Sequence, residues 1–454
     1  GGREGGFLRC VQGPREPLRR DLLELMKVPV HGPKAKKRTS AGNDQQVNRE
    51  LADLSPWRGL GARLGLNDSN HAAIARGMFW VALFVFIGKL AGAAKEMAIA
   101  RRYGVSQEVD AYLFVFNLVN WPVSVWFSVL AAVLVPLAAD IRHRSPGEFT
   151  RFRRELLGLA LLIGSALTTL GWLGLPALLR SGLAGLTGLG QSAALQMVSV
   201  LAWTALGGIV VALFSSWLLA AGRHVNTLLE GVPAVTMLIV LLAVPGGGVG
   251  PLAWGALVGV VFQLAILAAL LTRSGEMDAP RLGFASPAWA PFWRGFGILL
   301  VGQGLMSLTG VIDQFFAAHL GPGAVSTLGY ANRILAFILG FGGTAIGRAT
   351  LPIFSKASTG GDGSLHRTAK HWVRLMFFLG LAALFLGWWV APWVVKLLFE
   401  RGAFSLHDTQ AVSHVLRYAM TQLPVYFPGL VYISLLASSH RYSAIVIIAA
   451  LNII

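Results

Sequence analysis

Residues Ile87 to Asp140 read IGKLAGAAKEMAIARRYGVSQEVDAYLFVFNLVNWPVSVWFSVLAAVLVPLAAD. Two long apolar segments flank a short polar turn, and the first carries Lys89, Lys95 and Glu96 well inside it. An ionisable group in hydrocarbon costs about 2.5–3.5 kcal/mol on insertion scales, so such groups face a wet cavity or a partner. At roughly 100° per residue Lys89 and Glu96 share one helical stripe, with Lys95 around the corner. Three charges on one apolar helix point to a polar cavity inside a helix bundle.

The rest of the chain extends this reading. Of 454 residues 55% are hydrophobic and only 13% charged, against about a quarter charged in soluble domains. Mean hydropathy is +0.62. Apolar runs of bilayer-crossing length recur from Ile74 onward, which makes this an all-α, polytopic membrane protein. The net charge of +17 is distributed against a nucleic-acid partner, because the basic residues occupy the N-terminal tail and alternate loops. Cys10 is the only cysteine, so an intrachain disulfide or cysteine-based metal site is excluded.

Residues 1–70 are polar, with a basic cluster at Lys34, Lys36, Lys37 and Arg38, and read as a disordered tail without a cleavable signal. Helices are expected at about 74–102, 110–138, 153–179, 191–221, 226–245, 251–272, 294–320, 325–355, 371–398 and 409–438. An eleventh begins near Tyr442 and stops at Ile454, too short to span, so the last helix reads as cut off. Loops on one side carry Arg142, Arg144, Arg151, Arg153, Arg154, Arg223, Arg273, Arg281, Arg294, Lys356, Arg367, Lys370, Arg374 and Arg441. The opposite loops carry Arg101, Arg102, Arg180, Lys396 and Arg401. Fourteen against five puts the N-terminus in the cytoplasm. Trp121, Trp126, Trp289, Trp293, Trp388, Trp389 and Trp393 are expected as interfacial anchors toward helix ends.

Gly104–Pro136 and Gly321–Pro352 share a layout: a turn, an apolar helix, then a Val/Leu-Pro pair before a polar loop. Such duplication is a transporter architecture with the substrate path between the halves. Gly88-x-x-x-Gly92 reads as a close helix contact. Asp110 opens the second helix, where its charge complements the helix dipole. Asp313, expected to be buried in the seventh helix, needs a cation or a donor. Arg333 lies about two turns into the eighth. Arg348 is expected to snorkel, and Glu230 and Arg417 to pair within the bundle. Enzyme signatures fail: Gly340-x-Gly342 follows no strand, and Leu90 stands where a phosphate loop needs Ser or Thr. The histidines are scattered without zinc-like spacing.

Three motifs carry a resemblance. Gly88-Lys-Leu-Ala-Gly-Ala-Ala-Lys-Glu96 with Tyr103-Gly104 and Asp110-Ala-Tyr112 is the first. Gly329-Tyr-Ala-Asn-Arg333 with Gly347-Arg-Ala-Thr-Leu-Pro352 and Ser355-Lys356 is the second, and Leu398-Phe-Glu-Arg-Gly-Ala-Phe404 the third. In order and spacing the membrane part resembles the MurJ (MviN) family of lipid II flippases, in the superfamily that also holds O-antigen flippases and MATE exporters. The resemblance implies two pseudo-symmetric six-helix lobes around a central cavity, here residues 71–273 and 274–454, the second incomplete and usually followed by two more helices. It implies a substrate site at Lys89, Lys95, Glu96, Asp110, Asn332 and Arg333, binding an undecaprenyl-diphosphate-linked sugar. Lysine replaces the family's usual arginine at positions 89 and 95, Glu96 an aspartate and Asn332 a common aspartate, while Arg333 is unchanged. Asn120–Ser128 carries no charge where the family often has arginine and an acidic residue.

The expected activity is therefore flipping of a polyprenyl-diphosphate-linked cell-wall precursor across the bacterial inner membrane by alternating access, with no catalysis and no cofactor. The same resemblance implies a sodium site at Asp313 and Asn452, so that a sodium ion or the membrane potential would drive transport. The protein is expected to be a monomer in the bilayer. The rivals are a flippase for an exopolysaccharide or O-antigen unit, an intramembrane glycan polymerase or ligase, and a non-transporting scaffold. A polymerase or ligase needs a large outer loop, and every outer loop in this sequence is short.

Overall fold

A computed structural model describes residues 69–438 apart from 145, 223–224, 247 and 358–361. Every α-helix or 3₁₀ segment follows from the apolar runs: α1 Ser69–Tyr103, α2 Gln107–Arg144, α3 Pro146–Arg180, α4 Gly188–Leu201, α5 Trp203–Ala220, α6 Val225–Leu229 and α7 Val232–Ala243. Next come α8 Gly250–Arg273, α9 Trp289–His319, α10 Ala324–Ala357, α11 Asp362–Phe399 and α12 Leu406–Ala419. A 3₁₀ turn at Met420–Gln422 then leads into α13 Leu423–Ser438. Among the described residues no strand occurs.

Seven of these segments are long and apolar enough to cross a membrane: Gln107–Ala138, Gly147–Arg180, Trp203–Ala220, Gly250–Arg273, Trp289–His319, Ala369–Phe399 and Leu406–Leu436. Their outward surface is apolar. Along α9, Ile298, Val301 and Phe316 are largely exposed, which a bilayer tolerates and water does not.

The long helices run past their sequence-based ends, because polar residues complete the terminal turns. Three expected helices are interrupted, 409–438 by the 3₁₀ turn at Met420–Gln422. The 191–221 segment breaks at Ala202, where Thr204 Oγ1 donates back to the Leu201 carbonyl and Thr168 Oγ1 donates to that of Ala202. Hydroxyls that take helix carbonyls in this way bend the ladder. The 226–245 segment breaks at Glu230–Gly231, just before Pro233 in the first turn of α7. Gly231 lies against Gly88 of α1, and a Cβ added to it would stand 3.1 Å from Gly88 Cα. The expected close approach at Gly88 is thus present. A Cβ added to Gly92 would meet nothing within 4 Å, so Gly92 takes no part in it.

The tryptophans of α2 depart from their expected place. Trp121 and Trp126 lie mid-helix, not near an end, and pack α2 onto α9. Trp121 Nε1 donates to Ser307 Oγ at 2.9 Å, and the Trp126 ring meets Phe296 edge-on at 5.3 Å. The uncharged Asn120–Ser128 segment is therefore a packing surface. The expected eleventh helix, Asn452 and the 1–68 tail lie outside the described residues, as does the side chain of Arg348.

Candidate functional site

The charges of α1 sort themselves by helical position. Glu96 faces inward and is 8% exposed. Its Oε1 accepts Lys95 Nζ at 2.8 Å and Arg333 Nε at 3.1 Å. Arg333 arrives from α10, so one carboxylate ties two helices that are far apart in the chain. Two cations on one anion leave a net positive charge, and the Arg333 side chain keeps 44% of its surface open. A charge-assisted contact at this range is short and directional. At an effective dielectric near 20 a close pair is worth about 4 kcal/mol before desolvation; half-exposure of the arginine reduces that substantially.

Lys89 sits two turns earlier, about 10 Å along the axis by helix rise. It is exposed, takes part in neither of the Glu96 ion pairs, and has its charge felt at Glu230. Although Lys89 shares its stripe, the cations that Glu96 holds are Lys95 and Arg333. Arg417 finds its partner on α11, with its Nε donating to the Trp388 carbonyl at 2.8 Å and its guanidinium over the Trp388 ring.

Asp110 has a different task from the one its position suggests. It is 2% exposed and does not serve its own helix. Its carboxylate accepts the backbone N–H groups of Gly323 and, at 2.6 Å, Ser326, which open α10. An acceptor there satisfies orphan donors and complements the helix dipole. Around it the chain closes tightly. Gly104, at φ +60°, lies so near the Ala403 carbonyl that any side chain would collide with it. The Ala403 N–H donates to the Arg101 carbonyl at 2.8 Å, and Tyr330 O–H donates to that of Gly104 at 3.1 Å. The Tyr330 ring packs on Phe399 and Phe404. The α1–α2, α9–α10 and α11–α12 turns thus form one locked cluster. No local pattern in the sequence signals this role of Tyr330, which depends on tertiary placement.

Asn332 points elsewhere, though it neighbours Arg333. A cavity of about 950 Å³ is lined by Asn332, Asp313, Thr327, His407, Asp408 and Gln422 among others. Asp313 is exposed to this space, not buried as expected, and makes no hydrogen bond or ion pair among the described residues. Among those residues no group of three metal-type ligands forms. The site residues therefore occupy three places: the Glu96 knot with Lys89 beyond it, the Asp110 latch, and the Asp313–Asn332 cavity.

The family model described as "Lipid II flippase MurJ" matches residues 99–454. Asp110, Asp313, Asn332 and Arg333 fall inside that match, while Lys89, Lys95 and Glu96 precede it. The chain is similar to "Probable lipid II flippase MurJ" of Buchnera aphidicola subsp. Baizongia pistaciae (strain Bp), 21% identical over 361 residues, covering 77% of this chain and 70% of that one. It is also similar to "Lipid II flippase MurJ" of Burkholderia cenocepacia (strain ATCC BAA-245 / DSM 16553 / LMG 16656 / NCTC 13227 / J2315 / CF5610). That relative is 26% identical over 361 residues, covering 75% of this chain and 69% of that one. The solved structure "Lipid II flippase MurJ, inward closed conformation" matches with a TM-score of 0.69 at 18% identity, covering 82% of this chain and 78% of that one, which shows a shared fold.

Proposed function

This chain belongs to the MurJ family of lipid II flippases, and from that premise we propose that it moves lipid II, an undecaprenyl-diphosphate-linked cell-wall precursor, across the bacterial inner membrane. It is a multi-pass membrane transporter and not an enzyme. A flippase for an exopolysaccharide or O-antigen unit is not favoured, since the family match and the similar relatives name lipid II.

The observation that carries the mechanism is the cationic excess of the Glu96 knot. A cation exporter needs an acidic cavity; Lys89, Lys95 and Arg333 instead present positive charge to a diphosphate. Glu96 prepositions Lys95 and Arg333, and Arg333's open surface leaves N–H groups for phosphate oxygens. The two lysines act as point charges. The lipid tail stays in the bilayer while the head enters the cleft.

The latch around Asp110 closes one end of this path. The basic-loop asymmetry supports an N-terminus in the cytoplasm and hence a latch on the outer face, so loading is from the inside. Opening the latch and rocking the two lobes, 71–273 and 274–454, delivers the head outward. The acidic group available to take a coupling cation is Asp313. Its carboxylate, unpartnered among the described residues, fits a sodium ligand; Asn332 and Thr327 share its cavity, and Asn452 lies outside the described residues. Sodium or the membrane potential is the proposed driving force, and a monomer the proposed working unit.

Arg333→Ala should abolish rescue of a flippase-depleted strain at normal expression. Full rescue removes Arg333 from the site.

A further inference from the structure

A second basic site lies at the other end of the bundle, away from the latch. The segment joining α8 to α9 runs back over the start of α3. Gly158 makes this possible, because its missing side chain leaves room for the Arg281 backbone to lie directly on the helix. The Arg281 N–H donates to the Arg154 carbonyl at 2.9 Å, and Arg154 Nε donates to that of Ala279 at 3.3 Å. Between helix and segment is a cavity of about 340 Å³, lined by Gly147, Thr150, Arg151, Arg154 and Arg281.

Neighbouring acids cancel only part of its charge. Glu155 is 1% exposed, and its carboxylate accepts Trp289 Nε1 at 2.7 Å, the Ser286 N–H at 3.1 Å and Arg151 Nε at 3.2 Å. Asp278 is held by Arg153. Glu148, on the first turn of α3, is exposed and is not among the lining residues. Three arginines therefore line a space that also receives the first turn of a 35-residue helix, an arrangement that favours phosphate.

Beside the arginines the surface turns apolar at once. Leu282 is 71% exposed and Phe284 62%. Phe284 packs edge-on to Trp289, and Trp293 stacks on Trp289. Aromatic side chains next to arginines mark the level where headgroups meet acyl chains. Among the described residues Thr150 is the one uncharged polar side chain that lines the cavity, which gives it little with which to read a sugar. We propose that the Arg151–Arg154–Arg281 cavity binds the phosphate of an anionic phospholipid whose acyl chains lie on the Leu282–Phe284–Trp293 ledge, pinning the α8–α9 connection to α3.

The test is native mass spectrometry of the full chain in nonionic detergent, titrated with dioleoylphosphatidylglycerol, dioleoylphosphatidylcholine or inorganic phosphate. The chain should retain phosphatidylglycerol at least several-fold better than phosphatidylcholine. Arg281→Gln, which keeps the backbone contact to Arg154, should lose that preference, and Arg281→Lys should keep part of it. Arg180→Gln, at the opposite end of α3, should leave it intact. Elution volume and melting temperature matching the parent chain show that each variant is folded. Equal retention of the two lipids, an unchanged preference in Arg281→Gln, or displacement of the lipid by equimolar inorganic phosphate would each overturn the proposal.

Discussion

Arg333 Nε stands 3.1 Å from Glu96 Oε1, and this contact joins α10 to α1 across 237 positions of sequence. The same oxygen takes Lys95 Nζ. Glu96 is therefore the piece that keeps two cations side by side, and its removal has a measurable signature. Glu96→Gln and Arg333→Gln should each lower the melting temperature in detergent. A double-mutant cycle should give a coupling of about 1 kcal/mol, limited by the open side of Arg333. Additive effects would mean that the pair contributes nothing to the fold.

Asp110→Asn should loosen the latch. The amide offers a single acceptor where the carboxylate serves both Gly323 and Ser326. A loss of about 1–2 kcal/mol shifts a closed–open equilibrium roughly 5- to 30-fold. In a Cys10→Ser background, a cross-link between cysteines introduced at Arg101 and Ala403 should form in lower yield in Asp110→Asn than in the parent. An undiminished yield would show that the latch does not depend on this carboxylate.

Gly231→Val should destabilise the chain by about 1–3 kcal/mol, because its first carbon would press on Gly88 Cα. Gly92→Ala should be tolerated, since nothing stands within 4 Å of the new methyl. Thermal melting of both variants checks the contrast, and equal losses would contradict the observed packing.

Asp313→Asn should remove any sodium stimulation of transport in proteoliposomes while leaving basal binding of the lipid. Asp408→Asn, whose carboxylate caps α12 through the Ser405 N–H, should retain sodium stimulation. Unchanged sodium dependence in Asp313→Asn would exclude Asp313 as the coupling ligand.

What can be read from sequence divides along physical lines. Hydropathy and length locate the long helices, because apolar runs of 20 or more residues have few alternatives. The break at Ala202 is invisible there, since it depends on Thr168 reaching over from another helix. Helical phase puts Glu96 on the stripe of Lys89, whereas its partners are the adjacent Lys95 and Arg333, and the latter requires knowing which helix lies beside α1. Asp110 announces a helix start, yet it serves α10 and not its own helix. Asn332 and Arg333 are adjacent in sequence and about 100° apart on the helix, so they serve different spaces. The cavity at Arg151, Arg154 and Arg281 is hidden in the sequence, where those arginines act as topology signals only.

The most direct test of the central claim is translocation of fluorescent lipid II in proteoliposomes containing the full chain. The parent protein should move the lipid, and Arg333→Ala should slow it at least tenfold, with Lys89→Ala and Lys95→Ala adding to the loss. A triple variant that transports at the parental rate would contradict the account, because no diphosphate would then depend on these cations.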